Sequence, residues 1–204
     1  AASGRIAGRQ LSLRQNNQLT PTLDLDVVYQ VNVDLQQKTA TVQKLSMVGR
    51  QEQRDLLTAS LDRPMSLSWG TATAALPDST FRLALAQLDL KSWQPLLGTN
   101  LSSGKVDLEL NVEARQAGKQ LGAKLAAHVR DLAARFGTNA LEQVEVKCDL
   151  NAELADFNVA SMKQFQFELS HKNGLVAKSS GSARYELSRK EIEFQTDAEA
   201  SIPP

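Results

Sequence analysis

Apolar residues alternate with polar ones along most of this chain. The stretch from Phe81 to Val112 shows the pattern most fully. Phe81, Leu83 and Leu85 alternate, Leu88-Asp89-Leu90-Lys91-Ser92-Trp93-Gln94-Pro95-Leu96-Leu97-Gly98 breaks the rhythm, and Val106, Leu108, Leu110 and Val112 resume it against Lys105, Asp107, Glu109, Asn111 and Glu113. A period of two puts successive side chains on opposite faces of a strand, whereas a helix brings them round every three to four. The stretch therefore predicts a strand, a short amphipathic helix over Leu88 to Leu97, a Ser-Ser-Gly turn and a long strand.

The same reading extends in both directions. Ser3 to Arg14 holds only Ile6, Leu11 and Leu13 among Arg5, Arg9 and Arg14, which predicts an edge strand whose charges discourage further pairing. Asn16-Asn17 marks a turn. Thr22 to Leu35 is the clearest strand. Leu23, Leu25, Val27, Tyr29, Val31, Val33 and Leu35 fall on one face, and Asp24, Asp26, Gln30, Asn32 and Asp34 on the other, interrupted only by Val28. Gln36-Gln37-Lys38 turns the chain into Thr39 to Gly49, where the alternation slips between Val42 and Leu45 and predicts a bulge. A charged loop (Arg50 to Arg54), the run Leu56 to Leu61, the short run Met65, Leu67, Trp69, and a small, polar loop from Gly70 to Ser79 follow. That loop is a candidate boundary.

Lys119 to Phe136 carries two periods at once. Leu121, Leu125, Val129, Leu132 and Phe136 suit a helix, while Leu121, Ala123, Leu125, Ala127 and Val129 suit a strand. The strand context on both sides favours a strand to about Arg130. From Ala140 the alternation of Val144, Val146, Cys148, Leu150, Ala152 and Leu154 is regular. After a turn near Ala155-Asp156, Met162, Phe165, Phe167 and Leu169 predict the next strand. His171-Lys172-Asn173-Gly174 predicts a tight hairpin, with Asn-Gly supplying the positive φ angles. Leu175 to Leu187, interrupted by Gly181, returns to a turn at Ser188-Arg189-Lys190, and Ile192 and Phe194 begin a last strand.

Residues 22–69 and 141–187 align with each other. Leu25 to Leu35 matches Val144 to Leu154, and after one gained residue Val42, Leu45 and Met47 match Met162, Phe165 and Phe167, with the slip in the same place. Any two alternating hairpins align to some extent, but alternation does not force the shared slip, so the pair is read as an internal repeat of a structure that grows by hairpins. The segment 80–113 joins the two copies within one β domain over 1–204.

Composition narrows the chemistry. Lysine plus arginine and aspartate plus glutamate both total 23 in 204 residues, so there is no basic excess to suit a nucleic-acid partner. A single cysteine, Cys148, excludes an intrachain disulfide, and its place on an apolar strand face suits an inert thiol. The two histidines, His128 and His171, lack ligand partners at metal spacing. No nucleophile elbow, catalytic triad or phosphate loop is present. Asp24 and Asp26, two apart on a strand, suit a solvated face better than acid–base work. Trp69 and Trp93 suit packing among apolar neighbours, with a membrane-interface contact as the other reading. The sequence thus predicts neither an enzyme nor a cofactor. No apolar run approaches the roughly 20 residues of a spanning helix. The chain opens Ala-Ala-Ser-Gly and closes Ile-Pro-Pro, which reads as a segment of a longer protein.

The residues Leu88 to Gly98, followed by Ser103-Gly104-Lys105-Val106-Asp107-Leu108-Glu109-Leu110, resemble the repeating unit of AsmA-like and TamB-like proteins of the bacterial envelope. In that unit a strand leads into a "dL…w.pLLg" helical element and then an "sG.l.l.l" strand. Arg82 to Leu90 and Val129 to Gly137 resemble the family more loosely. The resemblance implies a large sheet curled into a groove, as in bridge-like lipid transporters. It implies a periplasmic location, an inner-membrane anchor elsewhere in the parent protein, and a role in moving phospholipid or in outer-membrane assembly.

The expected fold is mainly β. Long antiparallel strands form a large curved sheet, as an open groove or a two-layer sandwich, with one or two short helices. A one-faced apolar sheet must be covered by itself, by a helix or by acyl chains. The expected apolar groove or core face comprises Leu23, Leu25, Val27, Tyr29, Val31, Val33, Leu83, Leu85, Val106, Leu108, Leu110, Val144, Val146, Leu150, Phe165 and Phe167. Leu90, Trp93, Leu96 and Leu97 are expected to form a helix capping one end of that face. The expected ligand is a phospholipid or another acyl-chain molecule. The alternative is a structural or adhesive β-sandwich module of an envelope protein, with a dry core and no bound lipid.

Overall fold

A computed structural model describes residues 1–15, 17–69, 78–98, 100–116, 119–137, 139–172 and 174–201. In chain order the elements are β1 (Ala2–Leu11), β2 (Arg14–Gln15), β3 (Gln18–Leu19), β4 (Leu23–Asp34), β5 (Thr39–Gln51), β6 (Arg54–Leu61), β7 (Met65–Ser68), β8 (Ser79–Asp89), α1 (Gln94–Leu97), β9 (Leu101–Arg115), β10 (Gln120–Phe136), β11 (Asn139–Ala155), β12 (Val159–His171), β13 (Gly174–Glu186) and β14 (Glu191–Ala200). Apart from the small β2–β3 hairpin, they form one antiparallel sheet in the order β1-β4-β5-β6-β8-β9-β10-β11-β12-β13-β14, with β7 paired to β5 beside β6. The sheet does not close, so β1 and β14 are its edges.

The registers carry the period-two pattern across the whole sheet. One row on the apolar face runs Ile6–Val27–Met47–Ala59–Leu83–Leu110–Leu125–Leu150–Phe165–Gly181–Thr196, with one residue from each strand of the path. Because a one-residue slip would turn a strand inside out, apolar alternation on neighbouring strands locks their register. Val28 breaks the polar face of β4, opposite Arg5 and Ser46.

Bulges let the sheet bend without losing this alternation. The slip between Val42 and Leu45 is a bulge: Val31 pairs with Val42 and Gln30 with Lys44, leaving Gln43 over. A like bulge leaves Lys163 over where Asn151 pairs with Gln164 and Ala152 with Met162. Other bulges place non-glycine residues in the left-handed region, at Gln10, Gln87, Asp131 and Gln143 (φ 52°, 53°, 52° and 55°). Neighbouring strands take up the backbone groups these residues turn out of the ladder. Asp24 and Asp107 carboxylates accept the N–H groups of Gln10 and Gln87 at 2.7 and 2.8 Å. The carbonyls of Asp131 and Gln143 accept from the Ser103 hydroxyl and the Lys172 N–H at 2.8 and 3.1 Å.

Three expectations change in detail. The 119–136 segment is a strand from Gln120 to Phe136, beyond Arg130, because β9 and β11 pair with it on both sides. The helix expected over Leu88 to Leu97 contracts to Gln94–Leu97, since Leu88 and Asp89 stay in β8. The Asp89 side chain then accepts from the Lys91 N–H and the Ser92 hydroxyl, which sets a turn ahead of the helix. In the β12–β13 hairpin Lys172 is left-handed and Gly174 is already in β13, while Asn173 lies outside the described residues. The expected loop from Gly70 to Ser79 also falls outside them, except Asp78 and Ser79, and so does Asn16 of the first turn.

The sheet is a single layer. A folded monomer of 22.3 kDa exposes about 9,400 Å², whereas this chain exposes 13,305 Å². Among the described residues no large side chain is fully buried, and the few buried apolar ones, such as Leu56, Leu90 and Val144, do not amount to a closed core. Among the described residues no helix is long and apolar enough to cross a membrane.

Candidate functional site

The apolar face is the one extended feature from which a site can be built. Pairing places every residue of the expected face on the same side of the sheet. Leu23, Leu25, Val27, Tyr29, Val31 and Val33 on β4 stand opposite Leu11, Gly8, Ile6, Gly4 and Ala2 on one side, and Gly49, Met47, Leu45, Val42 and Ala40 on the other. Leu83 and Leu85 stand beside Leu110 and Leu108, and Val106 between Leu88 and Val129. Val144, Val146 and Leu150 pair with His171, Leu169 and Phe165, while Phe167 lies between Cys148 and Ser179. Val33 at one strand end and Phe167 mid-sheet are exposed.

A depression lies in the C-terminal half of the face. A trough of about 540 Å³ spans β9 to β14, with walls from Val112, Leu121, Leu154, Met162, Tyr185 and Ile192. Its floor is formed by the small residues Ala123, Ala152, Ala160 and Ala183. Six neighbouring strands line one cavity only if the sheet is concave on this side. None of these residues was among those expected to form the site, and alanines in particular contribute little to a hydrophobic pattern. The alternation in 119–130 and 175–194 is the signal that marks them.

The expected cap is only partly built. Leu90 is buried at the end of the apolar face, where its side chain lies against Gly104 and its N–H bonds the Gly104 carbonyl. Gly104 sits at φ +146° and a Cβ there would lie 2.7 Å from Leu90, so the glycine makes room for the leucine. Trp93 is half-buried and donates its indole N–H to the Gln51 side chain at 3.2 Å. Leu96 and Leu97 are 40% and 48% exposed, and α1 buries none of its own residues. The helix borders the face at this end without covering it.

The opposite face is a lattice of ion pairs. Arg5 and Arg9 both bind the Asp26 carboxylate at 2.9 Å. Arg130 binds Asp107, His128 and Lys147 bind Glu145, Lys163 binds Glu153, and Lys178 binds Glu168. The Arg5 hydrogen bond, followed by Arg9, holds Asp26 below the usual carboxylate range. His128 and then Lys147 do the same for Glu145, Lys163 for Glu153, and the Gln166 amide and Lys178 for Glu168. At Asp107 desolvation pushes upward most strongly, but the Gln87 N–H and Arg130 together outweigh it and lower the value. These groups neutralise one another along the strands. Asp24, on the same polar face, also accepts the Gln10 N–H at the β1 bulge.

Other candidate chemistry stays dispersed. Cys148 is half-buried on the apolar face between Ala127 and Phe167. His128 and His171 lie on opposite faces of the sheet, His128 beside Asp107 and Lys147 and His171 beside Val144. Among the described residues no group of three or more His, Cys, Asp or Glu side chains is placed to hold a metal. Trp69 is exposed beyond β7, and its N–H bonds the Lys38 carbonyl. No family model, curated protein or solved structure matches this chain.

Proposed function

We propose that this chain is a non-enzymatic periplasmic segment of an AsmA-like protein of the bacterial envelope, and that its apolar face is a groove for the acyl chains of phospholipid. It acts in phospholipid transport or in outer-membrane assembly. The observation that carries this reading is an apolar face continuous across the whole sheet and covered by no second layer among the described residues, in a chain whose total accessible surface is 13,305 Å². The resemblance of Leu88 to Leu110 to the repeating unit of that family supplies the rest.

The energetics favour such a ligand. Each methylene moved from water onto apolar surface contributes about 0.8 kcal/mol, so eight of them along the trough supply about 6 kcal/mol. The lining has little polar area with which to orient a headgroup, which suits a ligand held by its chains. A sandwich module is the weaker reading, because it needs a second layer over this face.

The test is purification without detergent, followed by extraction and lipid mass spectrometry. The expected result is co-purified phospholipid, and its loss in Leu150→Glu, which places a carboxylate mid-face while the circular dichroism of the sheet is retained. A lipid-free, stable, monomeric protein that takes up no labelled phospholipid would overturn the proposal.

A further inference from the structure

The two edges of the sheet are built differently. Edge strand β1 is bulged between Gly8 and Leu11, and its Arg5 and Arg9 are both held by Asp26 on β4. Edge strand β14 has neither device. It pairs with β13 in an unbroken register from Glu191 to Ala200 and contains no proline, glycine or lysine. Every residue in it is exposed, including Ile192 at 70% and Phe194 at 74%. A long, regular edge without bulge, proline or lysine is a template for another strand.

Charge on the polar face defines that strand. One cross-strand row runs Lys147–Glu168–Lys178–Glu199, so cations and acids alternate until the row ends on an acid at the edge. Inside the sheet, acids draw cations from neighbouring strands: Arg5 and Arg9 serve Asp26, and Lys163 serves Glu153. On β14 the supply fails. Lys178, opposite Glu199, is committed to Glu168, and Arg184, opposite Glu193, to Glu186. Glu191 stands opposite another acid, Glu186. Among the described residues Glu191, Glu193, Asp197 and Glu199 have no ion-pair partner, and all project from the polar side of a strand paired on one edge only.

We propose that β14 is completed by an added antiparallel strand from another polypeptide segment. That strand carries lysine or arginine opposite Glu193, Asp197 and Glu199, alternating with apolar residues opposite Ile192 and Phe194. Main-chain hydrogen bonds provide attachment, and alternate side chains provide selectivity. A second copy of this chain does not fit. Two β14 strands joined about a two-fold axis bring acid against acid, and β1, parallel to β14 in the sheet order, has its arginines already bound. The added strand also lengthens the apolar face past Phe194, independently of what that face binds.

The test uses the whole chain and two blocked ten-residue peptides, one alternating lysine with valine and threonine, the other its glutamate counterpart. Amide hydrogen exchange is read over 191–200. The expected result is protection confined to β14 with the lysine peptide, a preference on the order of tenfold over the glutamate peptide, and weakening with salt. The surface variant Glu193→Lys/Asp197→Lys is expected to reverse the preference. Equal binding of both peptides, protection away from β14, no protection, or self-association through β14 in sedimentation would each overturn the proposal.

Discussion

Asp107 on β9 accepts the backbone N–H of Gln87 on β8 at 2.8 Å, at the bulge where β8 loses register with β9. The same carboxylate binds Arg130 on β10, so one side chain links three strands. Gln87 is left-handed, a conformation that costs a non-glycine residue roughly 1–2 kcal/mol. Asp107→Ala removes the acceptor for a turned-out N–H and the partner of a guanidinium. It is expected to cost about 1–3 kcal/mol in urea unfolding. Asp107→Asn keeps an acceptor for the N–H and is expected to lose less. Equal midpoints for wild type and Asp107→Ala would show that the bulge does not depend on this bond.

Phe165 on β12 lies over Gly181 on β13, and a Cβ at 181 would sit 2.7 Å from the ring and clash with the Gln195 carbonyl of β14. Gly181→Ala must therefore push β14 away or displace the ring. The expected cost is about 1–3 kcal/mol, with hydrogen exchange speeding up first in β14. A neutral Gly181→Ala would mean that the approach of β14 to β13 is looser than described.

Acid should weaken the sheet through its polar face. Asp26, Asp107, Glu145, Glu153 and Glu168 all titrate lower in the fold than their ordinary values of 3.8 for Asp and 4.5 for Glu. A carboxyl depressed by folding stabilises the fold above its unfolded value, and that contribution disappears as pH falls through the folded one. Urea midpoints are expected to be flat with respect to these groups above about pH 5 and to drop below about pH 4. Glu145→Gln is expected to shallow the drop. A pH-independent midpoint between 7 and 3 would contradict it.

The two tryptophans are expected to report separate environments. Trp69 is exposed, while Trp93 is half-buried and bonded to Gln51. Acrylamide quenching should resolve a more and a less accessible component, and Trp69→Phe should remove the more accessible one. Gln51→Ala is expected to shift only the Trp93 component. A single quenching constant in wild type and Trp69→Phe would contradict the assignment.

Alternation is a local property, so the face of each expected residue on β4, β8, β9, β11 and β12 was legible one strand at a time. The bulge between Val42 and Leu45 was legible for the same reason, because a slip in a period of two needs an extra residue. Lys119 to Phe136 was not legible, since small alanines satisfy both periods and only the ladders of β9 and β11 on either side select the strand. Turn chemistry placed the β12–β13 hairpin, and the pairing of His171 with Gly174 puts Gly174 in the strand and Lys172 in the left-handed region. The trough floor went unseen because Ala123, Ala152 and Ala183 matter through the absence of bulk, which shows only when their strands are side by side. By itself the sequence determined a one-faced antiparallel β protein. Only the tertiary structure decided that the sheet stays open and single-layered, because covering an apolar face depends on how distant strands curve relative to one another, and no local period encodes that.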